Sequence, residues 1–106
     1  MTLEVTDEDF EQTIADSKIP VLVDFWAEWC GPCRLLTPII EELSRELEGR
    51  IKVVKMDIQN NPDTPSKFAV RSIPTLMLFK DGKVVGTKIG AVAKEVIIEW
   101  LGQDLP

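Results

Sequence analysis

The chain's two cysteines stand two residues apart in Trp29-Cys30-Gly31-Pro32-Cys33, between an almost continuously apolar run, Val21 to Trp26, and a long amphipathic stretch. The apolar run reads as a central strand covered on both faces. In the stretch that follows, Leu36, Ile39, Ile40, Leu43 and Leu47 recur at helical spacing, with Glu41, Glu42, Arg45, Glu46 and Glu48 on the other side. A strand that turns directly into a helix points to sheet and helix packed in layers. It also places both sulfurs at the carboxyl end of a central strand, where open α/β sheets carry their sites.

At a helix N-terminus the backbone N–H groups are unpaired and partially positive, which favours a thiolate over a thiol. A free cysteine with a pKa of about 8.5 is only a few per cent ionised at neutral pH. A helix terminus worth roughly 0.3 to 2 kcal/mol lowers that value by about 0.2 to 1.5 pH units, so at the upper end about half the thiol is ionised at pH 7. Cys30, at the junction, is the better candidate for the nucleophile. Cys33, one turn in, is expected to be more buried and closer to an ordinary thiol. Gly31 leaves the Cys30 sulfur open, and Pro32 suits a first-turn position where its missing N–H costs nothing. Neither offers a side-chain donor or a positive charge to the thiolate, so the pair leans toward reductant.

The remaining pattern supplies the other layers. Leu3 to Val5 reads as an edge strand. Thr6, followed by Asp7, Glu8 and Asp9, reads as the N-cap and acidic first turn of a modest helix with Phe10 and Ile14 on its apolar face. Pro38 lies inside the long helix and is expected to kink it, and Gly49 is expected to stop it. Ile51 to Ile58 reads as a strand parallel to the first, completing a right-handed βαβ unit. Asn61-Pro62 places proline at the first position of a short helix ending near Phe68. Thr75 to Lys80 and Lys83 to Ile89 flank Asp81-Gly82, a hairpin signal that makes them antiparallel. Ala93, Val96, Ile97, Trp100 and Leu101 form the apolar face of a closing helix. The order β-α-β-α-β-α-β-β-α predicts a mixed sheet with helices on both faces.

With 106 residues, the chain is expected to form a single domain, 1–106, large enough for a real core. A net charge of −6 and a sequence pI near 4.6 argue against nucleic-acid and anionic-membrane partners. The N-terminal segment lacks the basic start and apolar core of a secretory signal, and no apolar run approaches the roughly 18 residues of a membrane span. The chain as given therefore reads as cytoplasmic. There a close cysteine pair points to catalysis or metal binding sooner than to a structural disulfide. With no histidine and two cysteines, one chain cannot supply the usual four zinc ligands, so no metal is expected, although a metal-bridged dimer stays open.

Beyond the pair itself, Val23-Asp24-Phe25-Trp26-Ala27-Glu28-Trp29-Cys30-Gly31-Pro32-Cys33 resembles the active-site segment of the thioredoxin family, and Ile73-Pro74-Thr75 resembles its second signature. The resemblance extends over essentially the whole chain. It implies the thioredoxin fold, with Cys30 attacking, Cys33 resolving, Asp24 and Lys55 behind the pair, and Pro74 a cis-proline facing it. It further implies a docking surface of Trp29, Gly31, Pro32, Ile73, Pro74, Ile89, Gly90 and Ala91. The implied activity is that of a general protein-disulfide reductase: a monomer with no bound cofactor beyond a redox-active Cys30–Cys33 disulfide. Its partners would be protein disulfides and an NADPH-dependent thioredoxin reductase. Arg34 stands where lysine is frequent, Phe68 where tyrosine is, and Ser72 where glycine often precedes Ile-Pro.

Read from its residues alone, Asp24 divides evenly between a catalytic base and an internally paired core carboxylate. Trp100 reads as packing, whereas Trp29 adjoins the cysteine turn and is expected to be exposed for partners. Two rival functions use the same surface: a binding module in which redox activity is incidental, and a dedicated donor or isomerase with one target.

Overall fold

The fold is that of a computed structural model, which describes residues 2–103. Its elements run β1 (Leu3–Glu4), α1 (Phe10–Asp16), β2 (Val21–Trp26), α2 (Gly31–Glu46), β3 (Lys52–Asp57), α3 (Asp63–Lys67), β4 (Thr75–Lys80), β5 (Lys83–Ile89) and α4 (Lys94–Gly102). The five strands form one mixed sheet in the order β1-β3-β2-β4-β5. β1, β3 and β2 are parallel, while β4 runs antiparallel to β2 and β5 antiparallel to β4. The observed order of elements is the one expected, and Val21–Trp26 lies in the middle of the sheet.

Alternation along the strands divides the interior into two apolar layers. Val21, Val23 and Phe25 of β2 point with Val54, Met56, Met77 and Phe79 toward α1 and α3, where Phe10 and Ile14 meet them. The rings of Phe10, Phe68 and Phe79 pack edge-on or tilted there, with centroids 5.2 to 5.8 Å apart. Leu22, Leu76 and Leu78 point the other way, onto Leu36, Ile40 and Leu43 of α2 and Ile97 and Leu101 of α4. Lys94 of α4 reaches back to Glu42 and Glu46 of α2 at 3.3 and 2.7 Å, joining the two helices at the surface.

Several boundaries depart from the sequence reading. Thr6 and Asp9 exchange backbone-to-side-chain bonds of 2.7 and 3.3 Å as a capping box does, but regular helix begins only at Phe10. Pro62 occupies the N-cap of α3 and not its first helical position. Val96 and Ala93 are exposed, leaving Ile97 and Leu101 as the buried residues of α4. Pro38 lies inside α2, as its sequence position predicts. In the Asp81-Gly82 turn both residues have positive φ, 53° and 80°, as a tight hairpin turn with the twist of its strands demands.

Candidate active site

The end of β2 delivers Trp26 to a short turn, and α2 starts at Gly31 with Cys30 as its N-cap residue. Proline in the first turn of α2 matches its lack of an N–H to satisfy. The Cys33 N–H donates to Cys30 Sγ at 3.2 Å, so an orphan donor of the helix terminus is aimed at the first sulfur. Cys30 and Cys33 are joined as a disulfide, with Cα atoms 5.3 Å apart. Ala27 is buried beside them, and Trp26, Ile58 and Ile73 pack against the group.

The expected difference in burial between the two cysteines is not found: Cys30 is 4% exposed and Cys33 3%. The first sulfur is bonded to the second, and Ile73 packs against both cysteines. Cys30 Sγ lies 3.8 Å from the Ile73 carbonyl oxygen. A disulfide sulfur carries no proton, so this is a contact; a Cys30 thiol in the same place would donate to that oxygen. The Ile73–Pro74 peptide bond is cis. The Pro74 carbonyl accepts the Gly90 N–H at 2.9 Å, which ties the loop to the end of β5, and Gly90 has the positive φ of 98° that favours glycine.

Around this buried pair the surface is open and largely apolar. Trp29 is 65% exposed, and Gly31, Pro32, Ile89 and Ala91 are exposed with it, while Ile73 is half-buried. A Cβ added at Gly31 would meet nothing within 4 Å, so the fold itself does not demand glycine there. A cleft of about 360 Å³ lies elsewhere, lined by Lys18, Pro20, Arg50, Lys80 and Asp81 at the opposite end of the sheet. The cysteine chemistry is thus presented on a surface that suits macromolecular partners more than an enclosed small molecule.

Asp24 and Lys55 are cross-strand neighbours in the parallel β2–β3 register. Asp24 shares its side of β2 with Leu22, and so faces the layer of α2, the helix that carries both cysteines. The residue is 4% exposed, and Oδ1 has no hydrogen-bond partner among the described residues. Burial pushes the Asp24 carboxyl up to about 7, against the opposing pull of the Lys55 charge. The Lys55 ammonium does not come within 4 Å of it; it lies 5.3 Å from the centroid of the Trp26 ring. Trp26 therefore contacts both the cysteine cluster and Lys55, a placement that its position at the end of an apolar strand could not reveal. Among the described residues no three His, Cys, Asp or Glu side chains group as a metal site would require.

The family model of thioredoxin matches residues 1–103. A thioredoxin of Rickettsia bellii is 55% identical over 105 residues, covering 99% of this chain and 100% of the relative. Thioredoxins of Pseudomonas aeruginosa and Synechocystis are 50% and 49% identical, covering 95% and 98% of this chain and 94% and 97% of their own. With the five-stranded mixed sheet, the helix-capping cysteine pair and this full-length similarity, the chain belongs to the thioredoxin family and is a protein-disulfide oxidoreductase acting through Cys30 and Cys33.

Proposed function

We propose that residues 1–106 act as one domain and a general reductant of protein disulfides, with Cys30 as nucleophile and Cys33 as resolving thiol. The observation that carries this assignment is the Cys33 N–H aimed at Cys30 Sγ from the first turn of α2, which favours negative charge on the Cys30 sulfur. In the reduced protein the Cys30 thiolate attacks one sulfur of a target disulfide and the other leaves as a thiolate. Cys33, once deprotonated, then attacks Cys30 Sγ, expelling the second target thiolate and leaving the Cys30–Cys33 disulfide. Two electrons pass to the target, and the sulfurs of the chain carry them with no bound cofactor.

Asp24 receives the Cys33 proton, directly or through a solvent molecule, a task suited to a carboxyl whose pKa near 7 lies close to working pH. Lys55, its register neighbour, tunes that value downward. Ile73, Pro74, Ile89, Gly90 and Ala91 join Trp29, Gly31 and Pro32 in receiving the target strand, an assignment supported for Trp29, Gly31, Pro32, Ile89 and Ala91 by their exposure around the pair, whereas Ile73 and Gly90 are half-buried and Pro74 is buried. An NADPH-dependent thioredoxin reductase restores the dithiol, and the protein works as a monomer in the cytoplasm.

The order of attack is tested by trapping. Cys33→Ser is expected to accumulate protein mixed disulfides through residue 30, and Cys30→Ser almost none. Equal trapping by both variants would overturn the assignment of nucleophile.

A further inference from the structure

Arg34 lies one turn beyond Cys30, and its guanidinium points back along the chain. Nη2 donates to the carbonyl oxygen of Glu28, six positions back, at 3.0 Å, closing a loop over the start of α2. The segment it holds has little else to fix it. The Glu28 side chain is exposed, and Trp29 projects its ring into solvent at 65% exposure. The Cys30 N–H bonds to the Ala27 carbonyl at 3.1 Å, bracing the turn from within. Among the described residues, the Arg34 bond is the one side-chain hydrogen bond that Glu28 and Trp29 receive.

We propose that Arg34 is a positioning residue for target recognition: it pins the Glu28–Trp29 turn so that the Trp29 ring is presented beside Cys30 in one orientation. The inference rests on the reading of Trp29 as a docking residue. An exposed indole that must be ordered at each encounter loses side-chain and backbone freedom on binding; a turn already held in place loses less. A guanidinium suits this task because its planar fork keeps a fixed donor direction, whereas an ammonium on a flexible stem does not. Its own helix does not need it: Arg34 is exposed, and the buried face of α2 is made by Cys33, Leu36, Ile40 and Leu43.

The test compares wild type with Arg34→Met, which keeps the stem and removes the donors, and with Arg34→Lys, which keeps the charge. With a folded protein disulfide as substrate, Arg34→Met is expected to raise KM by about twofold to tenfold, the range that one net hydrogen bond is worth, with kcat held. The increase is expected to persist at about 0.5 M salt, where the screening length is only about 4 Å. In a Trp29→Ala background, itself raised in KM, Arg34→Met is expected to add nothing further. Backbone order parameters at Glu28 and Trp29 are expected to fall in Arg34→Met and to be partly restored in Arg34→Lys. An unchanged KM in Arg34→Met overturns the brace, as does an increase that disappears in salt, which would mark Arg34 as a steering charge, or one undiminished in the Trp29→Ala background. If Trp29→Ala itself leaves KM unaltered, the docking role of Trp29 falls and the brace with it, while the mixed-disulfide trap still decides the roles of the cysteines.

Discussion

Asp24 is held in surroundings that resist its charge, and the sign of the consequence follows from where its proton resides. With an ordinary value near 3.8 in the unfolded chain and about 7 in the folded one, the native state keeps a proton that the unfolded chain has already released. The stability contributed by the Asp24 proton is therefore full below about pH 4, declines as pH rises toward about 7, and is gone above it. At roughly 1.36 kcal/mol per pH unit, the loss over that interval is on the order of 4 kcal/mol. Asp24→Asn carries no charge into the core, so it is expected to be more stable than wild type at pH 8 and to have a flatter profile between about pH 4 and pH 7. It is also expected to release trapped target more slowly, because the Cys33 proton loses its acceptor. Denaturant unfolding across pH and single-turnover kinetics measure the two effects. A variant less stable at pH 8 with normal turnover would mean that the carboxylate is well paired and structural.

At the level of elements, α3 shows how a local reading stops short. Its N-cap is Pro62, which has no polar side chain, and the donors of its first turn are satisfied from the far end of the sequence. Asp7 accepts from the Asp63 N–H at 3.0 Å, the Thr64 N–H at 2.8 Å and the Thr64 hydroxyl at 2.7 Å. Desolvation raises the Asp7 carboxyl, but the bonds from Thr64 and Asp63 outweigh it and leave the group below its ordinary range. Its stabilisation is thus present above the unfolded value, about 3.9, and is lost as pH falls through the lower folded one. Asp7→Ala is expected to cost about 2 kcal/mol, with Asp7→Asn intermediate, measured by denaturant unfolding at pH 7. No change in Asp7→Ala would mean that solvent caps α3 equally well. The bounds of β2, β4 and β5 were legible because apolar runs and the Asp81-Gly82 turn are local signals. The Asp7 clamp, the contact of Cys30 with Ile73 and the bond from Arg34 to Glu28 depend on how separate segments meet, which no periodicity encodes. Asp24 stood between: its burial was legible from the strand, but its lack of a close partner was not.

Across the whole molecule, the sheet separates two apolar layers that share strands but not side chains. Ile14 belongs to the α1/α3 layer and Ile40 to the α2/α4 layer that carries the cysteine helix. Between them stands the close-packed sheet, whose adjacent residues point to opposite sides, so a small void on one side has no direct partner on the other. Ile14→Val and Ile40→Val are each expected to cost about 0.5 to 1.5 kcal/mol. The double variant is expected to show their sum within about 0.5 kcal/mol, with a single cooperative transition in denaturant. This independence would let the α1/α3 layer vary in composition while the layer beneath the cysteine helix keeps Asp24 in place, except at Ile58 and Ile73, which pack against both the α1/α3 layer and the cysteine pair. A coupling above about 1 kcal/mol would instead mean that the strands transmit repacking from one face to the other. Substitutions near Phe10 or Phe79 would then be felt at Leu36 and Ile40 of the cysteine helix, and the two faces would have to be treated as one core.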